Sequence, residues 1–138
     1  MADLLFPLHL AATGFLTGLI WVVQLVVYPG FAHVTPAVFP AFHRAYTRTI
    51  TFLVGPSMLL ELGTGLALFG RAALGGAPVA IVGLLLLAAA WLSTYLLQVP
   101  LHLKLNHGFD PALHGRLVRT NWIRTAAWSG RLALLLAA

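Results

Sequence analysis

The chain has 138 residues, of which 60% are hydrophobic and 8% charged, with a formal net charge of +5 and no cysteine. An ordinary soluble domain carries about 25% charged residues, so this composition argues against one, and the lack of cysteine excludes disulfides, thiolate catalysis and cysteine-ligated clusters. The basic residues sit in short stretches between apolar runs or inside them, with no solvated basic face for a phosphate backbone, which argues against nucleic acid as a partner.

Each apolar run approaches the roughly 20 helical residues that cross a bilayer, and none alternates as a barrel strand would. The predicted fold is therefore all-α: an integral membrane four-helix bundle, one domain over 1–138, with a short cytoplasmic amphipathic helix between helices 1 and 2. Helix 1 is expected over about 4–28, ending at Pro29-Gly30. Its run continues past Val27, too far for a cleaved signal, and reads as a retained helix. Its polar stripe holds Gly14, Thr17, Trp21, Gln24 and Tyr28, and Gly14 with Gly18 makes a GxxxG spacing that favours close helix approach. An interfacial helix over about 37–48 carries Phe39, Phe42, His43 and Tyr46 on one side and Arg44 and Arg48 on the other.

Helix 2, over about 50–70, has Pro56 as an expected kink and Glu61 as its one charge, on the side of Ser57 and Thr64. A turn over Arg71–Pro78 with Gly75-Gly76 leads to helix 3, about 79–103, whose stripe holds Trp91, Thr94, Tyr95, Gln98 and His102. Trp21 with Pro29 and Trp91 with Pro100 hint at a two-fold repeat of helix pairs. Asp110 before Pro111 reads as the N-cap of the last helix, about 112–137. The first and third connections hold Arg44, Arg48, Lys104, Arg116 and Arg119, the middle one only Arg71. By the positive-inside rule the basic ends face the cytoplasm and both termini lie outside, in a bacterial inner membrane.

The stretch Leu117 to Arg131 organises the rest. At about 100° per residue it aligns Asn121, Arg124, Trp128 and Arg131 on one stripe, and each arginine costs roughly 2.5–3.5 kcal/mol at a membrane centre. Such charges face the bundle interior and find partners. From the rise per residue, Glu61 and Arg131 lie at one depth, roughly 18–21 Å from the cytoplasmic surface, so a pair of Glu61 with Arg131 or with Arg124 is expected. Gln24, Gln98, His102, Asn121 and Arg124 lie nearer the cytoplasm. Two readings compete: hydrogen-bonded glue in a packing subunit of a larger assembly, or a pocket opening to the cytoplasmic leaflet. In the pocket, Glu61, Arg124 and His102 are the catalytic candidates. Trp21, Gln24, Tyr28, Trp91, Tyr95, Gln98, Asn121, Trp128 and Arg131 are the ligand-binding ones, suited to a hydrophobic aromatic or quinone-like molecule with a polar head.

A haem or transition metal on His43 and His102 is a further alternative; the histidine spacing carries no metal motif, and His9, off the helix 1 stripe, reads as structural. The partners expected are the lipid bilayer and a hydrophobic small molecule, with a homo-oligomer or larger membrane complex left open.

The segments QVPLHLKLNHGFD and LVRTNWIRTAAWSGR resemble a group of small bacterial four-helix membrane proteins and, more distantly, the anthrone-oxygenase-like family. The resemblance implies a cofactor-poor oxygenase-type reaction on a flat aromatic. The matching positions are Gln98, His102, Trp122, Arg124 and Trp128, with His102 standing where that family has an asparagine.

Overall fold

Without alternation to make strands, runs this apolar satisfy their backbone groups only as helices. The computed structural model describes residues 2–74 and 78–137, with side chains over 4–68 and 78–137, and these residues are mostly helical with no strand among them. Helix α1 runs Ala2–Val22, widens into a π-helical turn at Val23–Val27, and closes through Tyr28–Gly30 and the 3-10 turn Phe31–His33. Helix α2 is Phe39–Leu74. Helix α3 runs Pro78–Ser93, widens at Thr94–Gln98, and ends over Val99–Leu105; α4 is Pro111–Leu136.

The expected interfacial helix over 37–48 and helix 2 over 50–70 are one continuous helix. The sequence between them, Thr47-Arg48-Thr49-Ile50, changes polarity but contains no breaker, and polarity alone does not end a helix. The helix also passes Pro56 without interruption. The turn around Gly75-Gly76 lies outside the described residues. Asp110 caps α4, its Oδ1 accepting from the backbone N–H of Ala112 and Leu113 at 2.8 and 2.9 Å, with Pro111 at the first helical position.

Each helix packs on its neighbours in sequence, and α4 closes back on α1. Three helical stretches, Leu4–His33, Phe39–Leu68 and Pro78–Leu105, are long and apolar enough to cross a membrane. Helix α4, with Arg116, Arg119, Arg124 and Arg131, is not among them by composition. The bundle buries polarity and exposes apolar surface. His9, Thr13, Gln24, His43, Glu61, Gln98, Asn121, Arg124 and Arg131 are buried, while Phe52, Leu59, Leu85 and Leu96 are exposed. Among the described residues Gly14 and Gly18 meet no neighbour: a Cβ on either would have nothing within 4 Å, so no described helix uses the GxxxG spacing.

The two π-helical turns have one cause and one position. Pro29 and Pro100 lack an N–H, and each ring crowds the carbonyl four residues back, which falls inside the widened turn. There the Tyr28 N–H reaches Val23 O and the Val99 N–H reaches Thr94 O, the five-residue spacing of a π bulge. The match extends along the chain: Pro7 and Pro78, Pro29 and Pro100, Pro40 and Pro111, His43 and His114, Arg48 and Arg119, and Thr49 and Thr120 all share one offset (120 − 49 = 71). Thus α1–α2 and α3–α4 are two copies of one helix-pair plan.

Candidate functional site

Two polar clusters occupy the bundle, at different levels. The first is centred on Glu61. Arg131 Nε donates to Glu61 Oε1 at 2.9 Å, Thr13 Oγ1 donates to the same oxygen at 3.0 Å, and Trp128 Nε1 donates to Oε2 at 2.9 Å. Arg131 also donates through Nη1 to the Gly83 carbonyl and through Nη2 to His9 Nε2. Because arginine only donates, His9 Nε2 is the acceptor, and Nδ1–H is left to donate to Thr64 Oγ1 at 2.7 Å. Gly65 makes room for this contact; a Cβ there would stand 3.1 Å from His9 Cε1 and 3.4 Å from Arg131 Nη2. His9 thus belongs to a buried, bonded ion-pair network; His9, Glu61 and Arg131 do not line the cavity beside the second cluster, and Trp128, bonded to Glu61, does.

The second cluster borders a cavity of about 180 Å³. Its walls are apolar, with Leu16, Ile20, Val23, Val54 and Met58 among them, and its polar groups are Tyr28, Tyr46, Thr94, Gln98, His102 and Arg124, with Trp128 beside them. The lining residues Thr51, Tyr95 and Val99 are exposed. The mouth therefore opens sideways, between α2 and α3.

Arg124 is the one buried cation here, and its surroundings differ from those of Arg131. Its Nε donates to Asn121 Oδ1 at 2.8 Å, and Asn121 Nδ2 donates to Gln24 Oε1 at 2.7 Å. Its two η nitrogens reach only Thr94 Oγ1 at 3.5 Å and Tyr28 Oη at 3.4 Å, near the outer limit of a hydrogen bond. Among the described residues no carboxylate pairs with it. The Trp128 ring lies 5.8 Å from its Cζ, within cation–π range.

Beyond Tyr28 a chain of hydrogen bonds runs away from the cavity. Tyr28 Oη lies 2.9 Å from His102 Nε2 and 3.3 Å from Gln98 Oε1. His102 Nδ1 is 3.0 Å from His43 Nε2, and His43 Nδ1 is 2.8 Å from Asn106 Oδ1. The two imidazoles are stacked, with centroids 5.1 Å apart. Since each ring bonds the other directly, no gap remains for a haem iron between them, and the pair does not fit axial ligation. No group of three His, Cys, Asp or Glu suited to a metal occurs among the described residues.

Of the residues singled out by sequence, Tyr28, Tyr95, Gln98, His102, Arg124 and Trp128 line the cavity. Gln24 and Asn121 stand behind Arg124 and position it. Trp21 is exposed, donates to Ser129 Oγ at 3.0 Å and meets Trp122 edge-on at 5.6 Å; Trp91 stacks on Tyr95, outside the cavity. Glu61 and Arg131 form the separate network. His114, which repeats His43, lies 2.7 Å through Nε2 from the Tyr28 carbonyl and ties α4 to the end of α1. No protein-family model, curated protein or solved structure matches the chain.

Proposed function

We propose that the protein is a membrane-embedded binding protein or enzyme for a small, hydrophobic, aromatic or quinone-like molecule that enters the cavity sideways from the bilayer. In this reading all four helices lie in a bacterial inner membrane, with α4 turning Arg124 and Arg131 inward. Both termini are outside, and the basic ends of α2 and α4 face the cytoplasm.

The observation that carries the reading is Arg124. A buried guanidinium with no carboxylate partner and two loosely bonded η nitrogens is costly unless something completes it, and this one borders an apolar cavity. An apolar cavity of about 150 Å³ accepts benzene, so the space here suits a single ring. The oxygen of a quinone, phenol or carboxylate would accept from Nη1 and Nη2, with Trp128 against the ring and Gln98 and Thr94 orienting the head. The resemblance to anthrone-oxygenase-like proteins favours the same flat aromatic class.

The test is quenching of tryptophan fluorescence by a short-chain ubiquinone analogue added to the detergent-purified protein. Saturable quenching in the wild type that is lost in Arg124→Leu, with helical circular dichroism retained, supports the reading. Undiminished quenching in Arg124→Leu rejects it. A wild type that binds no quinone and copurifies with a partner protein would favour the packing-subunit alternative.

A further inference from the structure

Four side chains lead from the cavity to the connection between α3 and α4: Tyr28, His102, His43 and Asn106. Their proton positions follow from the acceptor at the far end. Asn106 Oδ1 can only accept, so His43 carries its proton on Nδ1 and leaves Nε2 as an acceptor. His102 Nδ1 must then donate to His43, which leaves His102 Nε2 as an acceptor facing Tyr28. The Tyr28 hydroxyl points its proton at His102, the nearer of its two acceptors, and turns its oxygen lone pairs towards the cavity and Arg124 Nη2. This is the arrangement of an acid–base pair with an orienting group behind it. None of the groups behind Tyr28 is needed merely to bind a ring.

We infer that Tyr28 and His102 form a proton-accepting pair for an O–H acid in the cavity, so that a phenol or hydroquinone is held there as its oxyanion. The inference rests on the cavity reading above and names its ligand class more narrowly. The O–H bond of the ligand breaks and its proton passes to Tyr28 Oη, while the proton of Tyr28 passes to His102 Nε2. The products are a ligand oxyanion facing the Arg124 guanidinium and a His102 imidazolium whose Nδ1–H donates to His43. One proton leaves the ligand, one arrives on His102, and no electron moves. Tyr28 and Arg124 touch the ligand; His43 and Asn106 are positioning residues that fix the His102 tautomer.

The experiment uses the full-length protein in detergent and 4-nitrophenol, a single-ring phenol whose anion absorbs in the visible and whose neutral form does not. The pH is held where the free probe is mostly neutral. The bound probe is expected to show an anion-to-neutral ratio raised about tenfold or more over the free probe, the equivalent of one pKa unit. His102→Phe and Tyr28→Phe should return the bound probe to the neutral spectrum. Asn106→Leu should lower the anion signal, and Asn106→Asp, which keeps the acceptor, should retain it. A wild type that binds the probe in neutral form overturns the inference and leaves the cavity reading standing. An anion signal that persists in folded His102→Phe also overturns it, because Arg124 alone would then suffice. If the wild type binds neither this probe nor a quinone, the cavity reading falls and takes this with it. Should His102→Phe lose its helical circular dichroism, the wild-type spectrum and the two Asn106 variants decide.

Discussion

Arg131 bonds Glu61 at 2.9 Å with both side chains sealed from solvent, whereas Arg124, two turns earlier on the same face of α4, bonds no carboxylate among the described residues. The two arginines thus divide the work of the helix. Arg131 spends its donors inside the protein, on Glu61, Gly83 and His9, while Arg124 keeps two η nitrogens at the wall of a cavity.

Glu61→Gln should leave Arg131 buried without its counter-charge and cost about 3–5 kcal/mol, as breaking buried pairs does. Replacing both residues, Glu61→Met with Arg131→Met, should recover most of that loss. Denaturant unfolding in detergent, followed by circular dichroism, measures both. A Glu61→Gln protein within about 1 kcal/mol of wild type would mean that the pair contributes no more than a surface one.

Gly55 lines the cavity, and a Cβ there meets nothing within 4 Å. Gly55→Leu should therefore fill the cavity next to its mouth and abolish quinone binding while leaving the unfolding midpoint nearly unchanged. Binding that survives this change would place the ligand elsewhere.

Gly65 presents the opposite case, with His9, Leu87 and Arg131 all within 3.4 Å of its virtual Cβ. Gly65→Val should destabilise the fold by about 1–3 kcal/mol through overpacking, read as a lowered unfolding midpoint. Ligand affinity in the folded fraction should hold, since none of the three side chains that the new Cβ meets lines the cavity.

Arg124→Lys separates charge from geometry. A lysine keeps the cation but not the planar fork that donates to one oxygen from two nitrogens. Quinone affinity should fall about tenfold, less than in Arg124→Leu, and Asn121 Oδ1 should lose its 2.8 Å donor. Equal loss in both variants would show that the fork, and not the charge, holds the ligand.

Three helices were legible in the lengths of the apolar runs, and α4 in its Asp110-Pro111 start and its stripe: Asn121, Arg124, Trp128 and Arg131 are all buried. The α1 stripe was less so. Drawn through its polar residues alone, it was centred on Gln24 and Trp21, but the buried face is set by His9, Thr13, Leu16, Ile20 and Val23 as well. At about 100° per residue the buried face is centred roughly 80° away from that stripe, which leaves Trp21 outside and brings His9 in. A change of polarity over Thr47–Ile50 suggests a separate interfacial helix, and the backbone runs through it unbroken. The shared offset of the two halves was present in the sequence throughout, in PAFH at 40–43 against PALH at 111–114 and in Arg48-Thr49 against Arg119-Thr120. The chemistry of the cavity comes from where the halves differ: His102, Gln98 and Arg124 stand where the first half has Phe31, Val27 and Leu53.

Among the described residues, the side chains beyond α4 that bond Arg124 or Arg131 come earlier in the chain: Thr94, Tyr28, Glu61 and His9, with the Gly83 carbonyl. During synthesis the three apolar helices are made before the helix that carries two buried cations. In the membrane reading proposed above, α4 then leaves the insertion machinery with its polar partners already made, and its two buried arginines need not face lipid alone.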